Sequence, residues 1–358
     1  MADFRRSIIF SLLAVPLGVW AEINFRHLPR LSARAASGRL PSLSIIIPAR
    51  NEMHNLHVLL PSLIAIQYPG KLEILVADDN SIDRTAQVAE SYGVHVLKLQ
   101  EPPAGWNGKP YASHQGALNA AGDWFLFTDA DTVHSASGIP AAVSYAEENH
   151  LDGLSLFLEQ QASSWLDALA LDTAFAGLFS SWHSSNYLLN GQFILIRREV
   201  YFDSGGFESV SGEILEDVAF GSLVEKSGYK FKILNGDQIA RVRMYRSNQK
   251  MFRGLSRLGA GMLGWQGLWA GITAFHITAL ISPLVTFFGV LLRRVKWYWF
   301  PITWASASLS LLPWSRRSGA GWRAILAPIG ALVVLVSALL GLIRRVLGRG
   351  LPWKDRLV

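Results

Sequence analysis

The sequence of 358 residues contains no cysteine. This absence excludes a disulfide scaffold, a cysteine-ligated zinc site and a cysteine nucleophile, and it suits a catalytic part that faces the cytoplasm. Charged residues are also scarce, because they make up 17% of the chain where about 25% is usual for a soluble domain. Apolar residues account for 50% and tryptophan occurs 13 times, which excludes a disordered chain and indicates a protein that lies partly in lipid.

The charges are unevenly distributed along the chain. Residues 251–358 hold 13 of the 33 basic residues but one acidic residue, whereas the first 250 residues hold 26 of the 27 acidic ones. An acidic first part and a basic, apolar second part do not describe a nucleic-acid-binding protein. They predict a soluble domain followed by membrane segments with Lys and Arg at their flanks. The sequence leaves the oligomeric state open.

Residues 7–25 form an apolar stretch that follows Arg5 and Arg6. A secretory signal peptide is one interpretation, but the small residues of a cleavage site are not evident. We predict an uncleaved membrane anchor, with a helix lying on the bilayer as the alternative. Four arginines follow the stretch: Arg26, Arg30, Arg34 and Arg39. Their positive charge predicts an integral cell membrane protein whose next domain lies in the cytoplasm.

Strands and helices are predicted to alternate from residue 40 to residue 250. Apolar runs predict strands at 43–47, 72–77, 94–97 and 124–128, and helical stretches separate them at 55–67, 84–92 and 109–121. This pattern predicts an α/β fold, with a mostly parallel sheet flanked by helices. Ligands of such sheets bind at the carboxyl ends of the strands, where the polar residues of this chain cluster.

Three long apolar runs occupy the last part of the chain, at 259–292, 297–313 and 324–343. The first contains Pro283 and six glycines, so we expect a helical hairpin or an interfacial helix that leads into a span. The predicted domains are therefore an N-terminal membrane anchor and basic linker at 1–39, a cytoplasmic domain at 40–250, and an interfacial and transmembrane region at 251–358.

Polar residues follow the first two predicted strands. Pro48, Arg50 and Glu52 come after the first strand, without the glycine fingerprint of a dinucleotide-binding fold, which argues against a dehydrogenase. Asp78 and Asp79 end the second strand, where one of them can accept hydrogen bonds from a base or ribose, although a solvated turn is the alternative. Asp83, a little further on, is predicted to cap the next helix.

Asp129 and Asp131 follow the fourth predicted strand as a D-x-D pair. Two carboxylates at this spacing can converge on a hard divalent cation, and Mg²⁺ and Mn²⁺ take oxygen ligands while keeping a substrate diphosphate in their shell. The pair therefore predicts a divalent-cation site at the same edge of the sheet.

Three further groups of charged residues are candidates for binding or catalysis. Lys109 opens a predicted helix, where a cation opposes the helix dipole, so we expect it to meet an anion. Glu216 and Asp217 precede another helical run, and a helix cap is the alternative role for them. Downstream, Arg241, Arg243 and Arg246 surround Tyr245. Alternate arginines on a strand face one way and can hold a phosphate, and contact with anionic lipid is the alternative.

Taken in order, the motifs resemble those of an inverting family 2 glycosyltransferase with a GT-A fold. The resemblance covers residues 43–258 and rests on IIIPARNE, ILVADDNSIDRT, GWNGKPYA, FTDADT, GGF and EDVAFG. The segments GWNGK, EDVA, RMYRS and the C-terminal GLPWK are similar to those of the membrane-bound subgroup associated with carotenoid and hopanoid glycosylation.

The resemblance implies a role for each matching residue. Pro48, Arg50, Glu52 and Asp79 would line the nucleotide pocket, with Asp78 beside it; Asp129 and Asp131 would reach the sugar nucleotide and its metal; and Asp217 would be the catalytic base. Processive polysaccharide synthases of the family carry Q-x-x-R-W beyond that base. The segment at 238–242 is close to that motif but lacks the tryptophan, which argues against a polymerising role.

We therefore expect an inverting transferase that moves a sugar from a nucleotide diphosphate sugar to a lipid hydroxyl in the membrane, with Mg²⁺ or Mn²⁺ as cofactor. Transfer to a polyprenyl phosphate is the nearest alternative. A nucleotidyltransferase is a further alternative, but that chemistry needs no carboxylate pair at 216–217. A catalytically inactive lipid-binding protein is disfavoured because all the acidic positions are filled.

Overall fold

A computed structural model of the chain describes residues 2–34, 38–182, 188–261, 268–350, 352–354 and 356–357. The described residues group into two compact units. An α/β unit contains residues 28–160 and 185–243, and a helical unit contains residues 1–27, 161–184 and 244–358. Each unit is therefore assembled from separate stretches of the chain.

The helices and strands of the described residues are as follows. The helices are α1 Ala2–Arg26, α2 Met53–Ile64, α3 Thr85–Ser91, α4 Gly108–Asn119, α5 Gly138–Glu148, α6 Trp165–Ser181, α7 Arg198–Asp203, α8 Glu216–Lys226, α9 Asn248–Gly261, α10 Leu268–Leu291, α11 Trp299–Arg317 and α12 Ala327–Val346. The strands are β1 Leu43–Ala49, β2 Leu72–Asp78, β3 His95–Lys98, β4 Trp124–Thr128, β5 Thr132–His134, β6 Gly153–Phe157, β7 Glu159–Gln160, β8 Phe193–Arg197, β9 Phe231–Asn235, β10 Ala240–Val242, β11 Pro352–Trp353 and β12 Arg356–Leu357.

The α/β unit is built around a seven-stranded sheet with the order β3-β2-β1-β4-β8-β6-β9. Strand β1 pairs in parallel with both β2 and β4, while β8 runs antiparallel to β4 and β6. The predicted α/β fold with a mainly parallel sheet is confirmed. All four predicted strands are present, and β1 and β2 extend further than expected, to Ala49 and Asp78, which lie opposite each other in the register.

Burial explains why these segments form strands rather than helices. Every residue of β4 is buried, as are six of the seven residues of β1. Strands that are covered on both faces read as continuous apolar runs, which is the pattern that the sequence shows. Helix α4 packs closely on β1, because a Cβ added at Gly116 would lie 2.4 Å from the side chain of Ile46. The polar residues are thereby left to the strand ends.

The helical unit contains the apolar segments of both ends of the chain. Three of its helices are long and apolar enough to cross a membrane by length and composition: Arg6–Arg26, Ala270–Leu291 and Gly321–Val346. Helix α11, which covers the predicted apolar run at 297–313, is not among them. In the run at 259–292, residues 262–267 lie outside the described residues, as does Leu351 of the C-terminal GLPWK segment.

The compact units differ from the linear domains expected from the sequence. Residues 161–184, which include α6, pack with the terminal helices although they lie inside the predicted cytoplasmic domain at 40–250. Gly177 of α6 illustrates this packing, since a Cβ there would lie 3.1 Å from Ile277 of α10. The domain boundaries at 39 and 250 remain predictions about membrane topology. The packing itself joins three chain segments into the helical unit.

Candidate active site

The turns after β1 and β2 are held together by Arg50. The Arg50 side chain is buried, and its Nη1 donates to the backbone oxygens of Asp79 at 2.6 Å and Asn80 at 3.0 Å. The backbone N–H of Asp79 in turn donates to the oxygen of Ala49 at 2.8 Å. These contacts fix the backbone of the two turns at the strand ends. Direct binding of a nucleotide by Arg50 stays a prediction.

Two asparagines that the sequence reasoning missed complete these turns. Asn51 and Asn80 both adopt left-handed backbone conformations, with φ of 53° and 49°. Asn51 accepts a hydrogen bond from the N–H of Ile82 at 2.9 Å, and its own N–H donates to Ser81 Oγ at 2.9 Å. Asparagine tolerates this conformation better than most residues, so an asparagine two residues beyond the end of each strand was the available signal.

Asp78 and Asp79 are both buried at the end of β2. Ser81 donates a hydrogen bond to the Asp78 carboxylate. Burial raises the pKa of Asp78, and the hydrogen bond from Ser81 offsets part of that increase. Pro48 lies opposite Ala77 in the β1–β2 register and so belongs to the same edge. The expected pocket residues of the two strands therefore share one edge, while their contact with a nucleotide remains a prediction.

Glu52 and Asp83 serve the starts of two helices. Glu52 occupies the N-cap position of α2, its N–H donates to Thr85 Oγ1 at 2.8 Å, and its carboxylate accepts from Asn55. Asp83 accepts a hydrogen bond from the N–H of Thr85, the first residue of α3, at 2.9 Å. Arg84 and not Asp83 is the N-cap residue of α3, so Asp83 supports the helix start from one position earlier than predicted. Substrate binding by Glu52 stays a prediction.

The D-x-D pair occupies the turn between β4 and β5. Thr132 Oγ1 donates to the backbone oxygen of Asp129 at 2.8 Å, and the N–H of Arg243 donates to the backbone oxygen of Asp131 at 3.1 Å. The buried His134 Nε2 lies 3.0 Å from Thr128 Oγ1, and burial lowers the pKa of this imidazole to about 3. Neutral, hydrogen-bonded groups thus fix the backbone of the turn and leave the carboxylates for other partners.

Lys109 connects the D-x-D turn with the Glu216–Asp217 pair. Its Nζ lies 2.8 Å from Asp129 Oδ1 and 3.1 Å from Glu216 Oε1. The expectation that Lys109 meets an anion is met by two carboxylates of the protein itself. The alternative role of a helix cap does not apply to Glu216, because Leu215 is the N-cap residue of α8 and the Glu216 carboxylate contacts the lysine.

A loop contact brings these residues together from distant parts of the chain. Asn107, the N-cap residue of α4, donates from its N–H to the oxygen of Ser211 at 2.8 Å and from Nδ2 to the oxygen of Glu213 at 2.9 Å. Lys109 is the second residue of α4 and Glu216 is the first residue of α8. The two helix starts are therefore tied together a few residues before their charged side chains.

The Asp217 carboxylate is held by backbone donors. Its Oδ2 accepts from the N–H of Gly191 at 2.8 Å and its Oδ1 from the N–H of Val218 at 2.9 Å. Burial and the neighbouring Glu216 raise the pKa of Asp217 to about 6, and Lys109 limits the increase. A carboxylate with this pKa can accept a proton near neutral pH, which is what general-base catalysis requires.

Gly191 was not recognised from the sequence. A Cβ at this position would lie 2.9 Å from Lys109 Nζ and 3.1 Å from Asp217 Oδ2. The glycine therefore leaves space for the ammonium group while its N–H holds the carboxylate. Burial lowers the pKa of Lys109, but the pull of Asp129, Glu216 and Asp217 outweighs it, so the pKa lies above its usual value and the lysine stays charged.

The arginines downstream are not gathered on one strand. Strand β10 ends at Val242, so Arg243 lies just beyond it, exposed, in the α/β unit. Arg246 is exposed and belongs to the helical unit. Arg241 lies exposed on β10, but the pairing of β10 with β5 covers 240–242 alone, so the arginines do not line one strand face as expected. Phosphate binding by Arg243 or Arg246 remains a prediction.

The D-x-D pair fits a divalent cation that is shared with a substrate. Among the described residues, no group of three or more His, Asp or Glu side chains could hold a metal ion by itself. Two carboxylates completed by substrate phosphates and water are the usual protein site for Mg²⁺. Asp129 already contacts a cationic group, the Lys109 ammonium, so its position suits a positive partner.

Comparison with known proteins agrees with this architecture. Residues 44–201 match the model of the family described as Glycosyl transferase family 2. A 4,4'-diaponeurosporenoate glycosyltransferase of Staphylococcus aureus strain USA300 is 29% identical over 232 residues, which cover 62% of this chain and 61% of the relative. The protein of the same name from strain bovine RF122 / ET3-1 is 29% identical over 249 residues, covering 66% and 65%. The chain thus spans less than two thirds of the length of these relatives.

A solved structure shares the fold. The mannosyltransferase PcManGT from Pyrobaculum calidifontis, in complex with GDP-Man and Mn²⁺, aligns with a TM-score of 0.61 at 16% identity, over 94% of this chain and 98% of that chain. At this identity the similarity supports the fold alone. Residues 44–201 therefore match a family 2 glycosyltransferase domain, and the chain shares the fold of a solved glycosyltransferase.

Proposed function

We propose that the protein transfers a sugar from a nucleotide diphosphate sugar to a hydroxyl group of a membrane lipid, with inversion at the anomeric carbon. The observation that carries this proposal is the meeting of Asp129 with Glu216 and Asp217 around Lys109. It brings a strand-end carboxylate suited to a donor together with a half-buried carboxylate suited to a base.

Asp217 is the proposed catalytic base. In a single displacement the acceptor oxygen bonds to the anomeric carbon while the bond to the diphosphate breaks, and the hydroxyl proton must go to a base. Backbone donors fix the Asp217 carboxylate, and its raised pKa keeps it basic enough to take that proton. Asp129 and Asp131 are assigned to the donor, so the base has to come from another element.

The donor side of the proposal uses the edge formed by β1, β2 and β4. Asp78 and Asp79 would contact the nucleoside, with Pro48, Arg50 and Glu52 shaping the pocket around it. Asp129 and Asp131 would hold Mg²⁺ or Mn²⁺, which would neutralise charge that the leaving diphosphate gains. Parallel neighbouring strands end at the same edge, which supports one continuous donor site.

A lipid acceptor is supported by two observations. The relatives named above are called 4,4'-diaponeurosporenoate glycosyltransferases, a name that is consistent with a lipid acceptor. In the most apolar stretch of 18 residues in each of the three helices, the buried share is 39%, 44% and 33%. Most of each stretch therefore lies on the outside, where lipid can cover it. We propose an integral membrane protein with its transferase domain on the cytoplasmic side.

A donor screen with one variant tests the catalytic proposal. Full-length protein in membranes is given each common nucleotide sugar with Mn²⁺ and a lipid extract, and release of nucleoside diphosphate is measured. Asp217→Asn should lower turnover by about 10²–10⁴-fold, since the amide cannot accept the proton, while donor affinity hardly changes. Asp203→Asn, at an exposed position of the same unit, is the matched control and should keep wild-type turnover. Loss of donor binding in Asp217→Asn would make Asp217 a pocket residue, and near-wild-type turnover would leave it a structural role.

A further inference from the structure

Lys109 occupies the position where the two halves of the proposed site meet. Its ammonium group is shared between Asp129, which follows β4, and Glu216, which begins α8. The exposed fractions of the three side chains are 24%, 26% and 9%, so little water screens their attraction. The bare backbone of Gly191 leaves the space that the ammonium group needs.

A metal ion on Asp129 would compete with this lysine for the negative charge of the carboxylate. The cation and the ammonium group need the same carboxylate, and two positive groups within a few ångströms repel each other strongly in a partly desolvated site. A metal ion arriving alone therefore approaches a carboxylate whose Oδ1 already lies 2.8 Å from Lys109 Nζ, and the positive charge of the ammonium group opposes its binding.

A diphosphate changes this competition. Lysine binds phosphate oxygens through its ammonium group, so an arriving diphosphate offers Lys109 a new anionic partner while it offers the metal ion oxygen ligands. The new partner for Lys109 and the new oxygen ligands both favour binding of the metal ion, and both depend on the diphosphate. This step rests on the proposed function, in which the donor carries a diphosphate.

We infer that Lys109 is an internal counter-cation that holds Asp129 in the donor-free protein, so that a divalent cation binds together with the diphosphate rather than before it. Lys109 is thus a positioning residue for the proposed reaction. It keeps the D-x-D carboxylate closed to free metal ions and ties it to the helix that carries the base.

The affinity of the protein for Mn²⁺, which does not depend on turnover, tests this inference. Free Mn²⁺ is quantified by electron paramagnetic resonance in titrations of the full-length protein in nanodiscs, alone and with UDP or GDP. Wild-type protein should bind Mn²⁺ weakly alone and much more tightly with the matching nucleotide. Lys109→Met should bind Mn²⁺ alone about tenfold or more tightly than wild type, because a neighbouring positive charge is lost. Lys109→Gln should do the same, and Lys109→Arg should not.

Lys232→Met is the matched control, because it removes a lysine of the same unit that contacts Tyr145 instead of an acid. It should leave Mn²⁺ affinity unchanged. Equal Mn²⁺ affinity of wild type with and without either nucleotide would overturn the inference, as would Lys109→Met and Lys109→Gln variants that bind Mn²⁺ no more tightly than wild type. Failure of the proposed function is read separately, as absence of nucleoside diphosphate release in the donor screen.

Discussion

The α/β unit and the helical unit place their polar and apolar residues in opposite ways. In the α/β unit the large apolar residues are inside, as in β1, where Ile45, Ile46 and Ile47 are fully buried. In the helical unit small polar residues such as Ser11 and Ser310 are buried, while large apolar ones are exposed on the outside. Exposed apolar surface of this kind is what a helix that could cross a membrane would present to lipid.

Hydrogen bonds between helices show how the helical unit uses its buried polar groups. His276 Nε2 of α10 lies 3.0 Å from Ser310 Oγ of α11, and Ser181 Oγ of α6 lies 2.7 Å from Thr273 Oγ1 of α10. Where apolar side chains face apolar lipid, packing and polar contacts of this kind hold helices together. The α/β unit depends instead on its buried apolar strands.

The largest predicted effect comes from placing a lysine on the outer surface of each unit and comparing the loss of stability. Val336 of α12 and Val58 of α2 are both exposed valines, one in each unit. If lipid covers α12, Val336→Lys should cost about 2.5–3.5 kcal/mol, whereas Val58→Lys should change stability by less than about 0.5 kcal/mol. Thermal unfolding in nanodiscs and retention in carbonate-washed membranes measure the difference. Equal, small effects of both substitutions would show that water covers α12.

Close packing by small residues within the helical unit should give the next largest effect. A Cβ added at Gly341 of α12 would lie 1.8 Å from the backbone oxygen of Ser256 in α9, whereas Gly271 of α10 has no heavy atom within 4 Å of that position. Gly341→Ala should therefore destabilise the protein by about 1–3 kcal/mol. Gly271→Ala should be neutral or slightly stabilising, because alanine favours helix. The thermal unfolding midpoints of the two variants measure this difference. An unchanged midpoint in Gly341→Ala would contradict the close contact of α9 and α12.

The pH dependence of turnover is the smallest predicted effect and concerns the α/β unit. Burial raises the pKa of Asp217 to about 6, so protonation of the base should reduce turnover as the pH falls below that value. Glu216→Gln removes the negative neighbour that helps to raise this pKa, and it should move the acid limb lower by about one pH unit. A pH profile of nucleoside diphosphate release measures both. An acid limb that stays in place in Glu216→Gln would mean that another group controls it.

Much of the α/β unit could be predicted from the sequence because its signals are local. Continuous apolar runs marked β1, β2 and β4, and the polar residues after them marked the ligand edge. The local sequence did not predict that the Arg50 side chain is buried, nor that β8 runs antiparallel to β4. The contact between Lys109 and Glu216 depends on how distant loops meet, and a sequence pattern does not contain that information.

The helical unit was harder to predict for the same physical reason. Apolar runs predict helices that can span a membrane, but they do not tell which helices pack together. Helix α6 joined this unit through close contacts such as that of Gly177 with Ile277, although it lies in the middle of the predicted cytoplasmic domain. Contacts of small residues at helix crossings are weak signals when a single sequence is read.

Transfer of a labelled sugar into lipid tests the central claim most directly. The full-length protein in liposomes is given the active nucleotide sugar, labelled in the sugar, together with a lipid extract, and the product is partitioned and its anomeric configuration determined by nuclear magnetic resonance. We predict label in the organic phase, attached with a configuration opposite to that of the donor, and none with Asp217→Asn. Label released only as free sugar in water, or a glycolipid that keeps the donor configuration, would contradict the account.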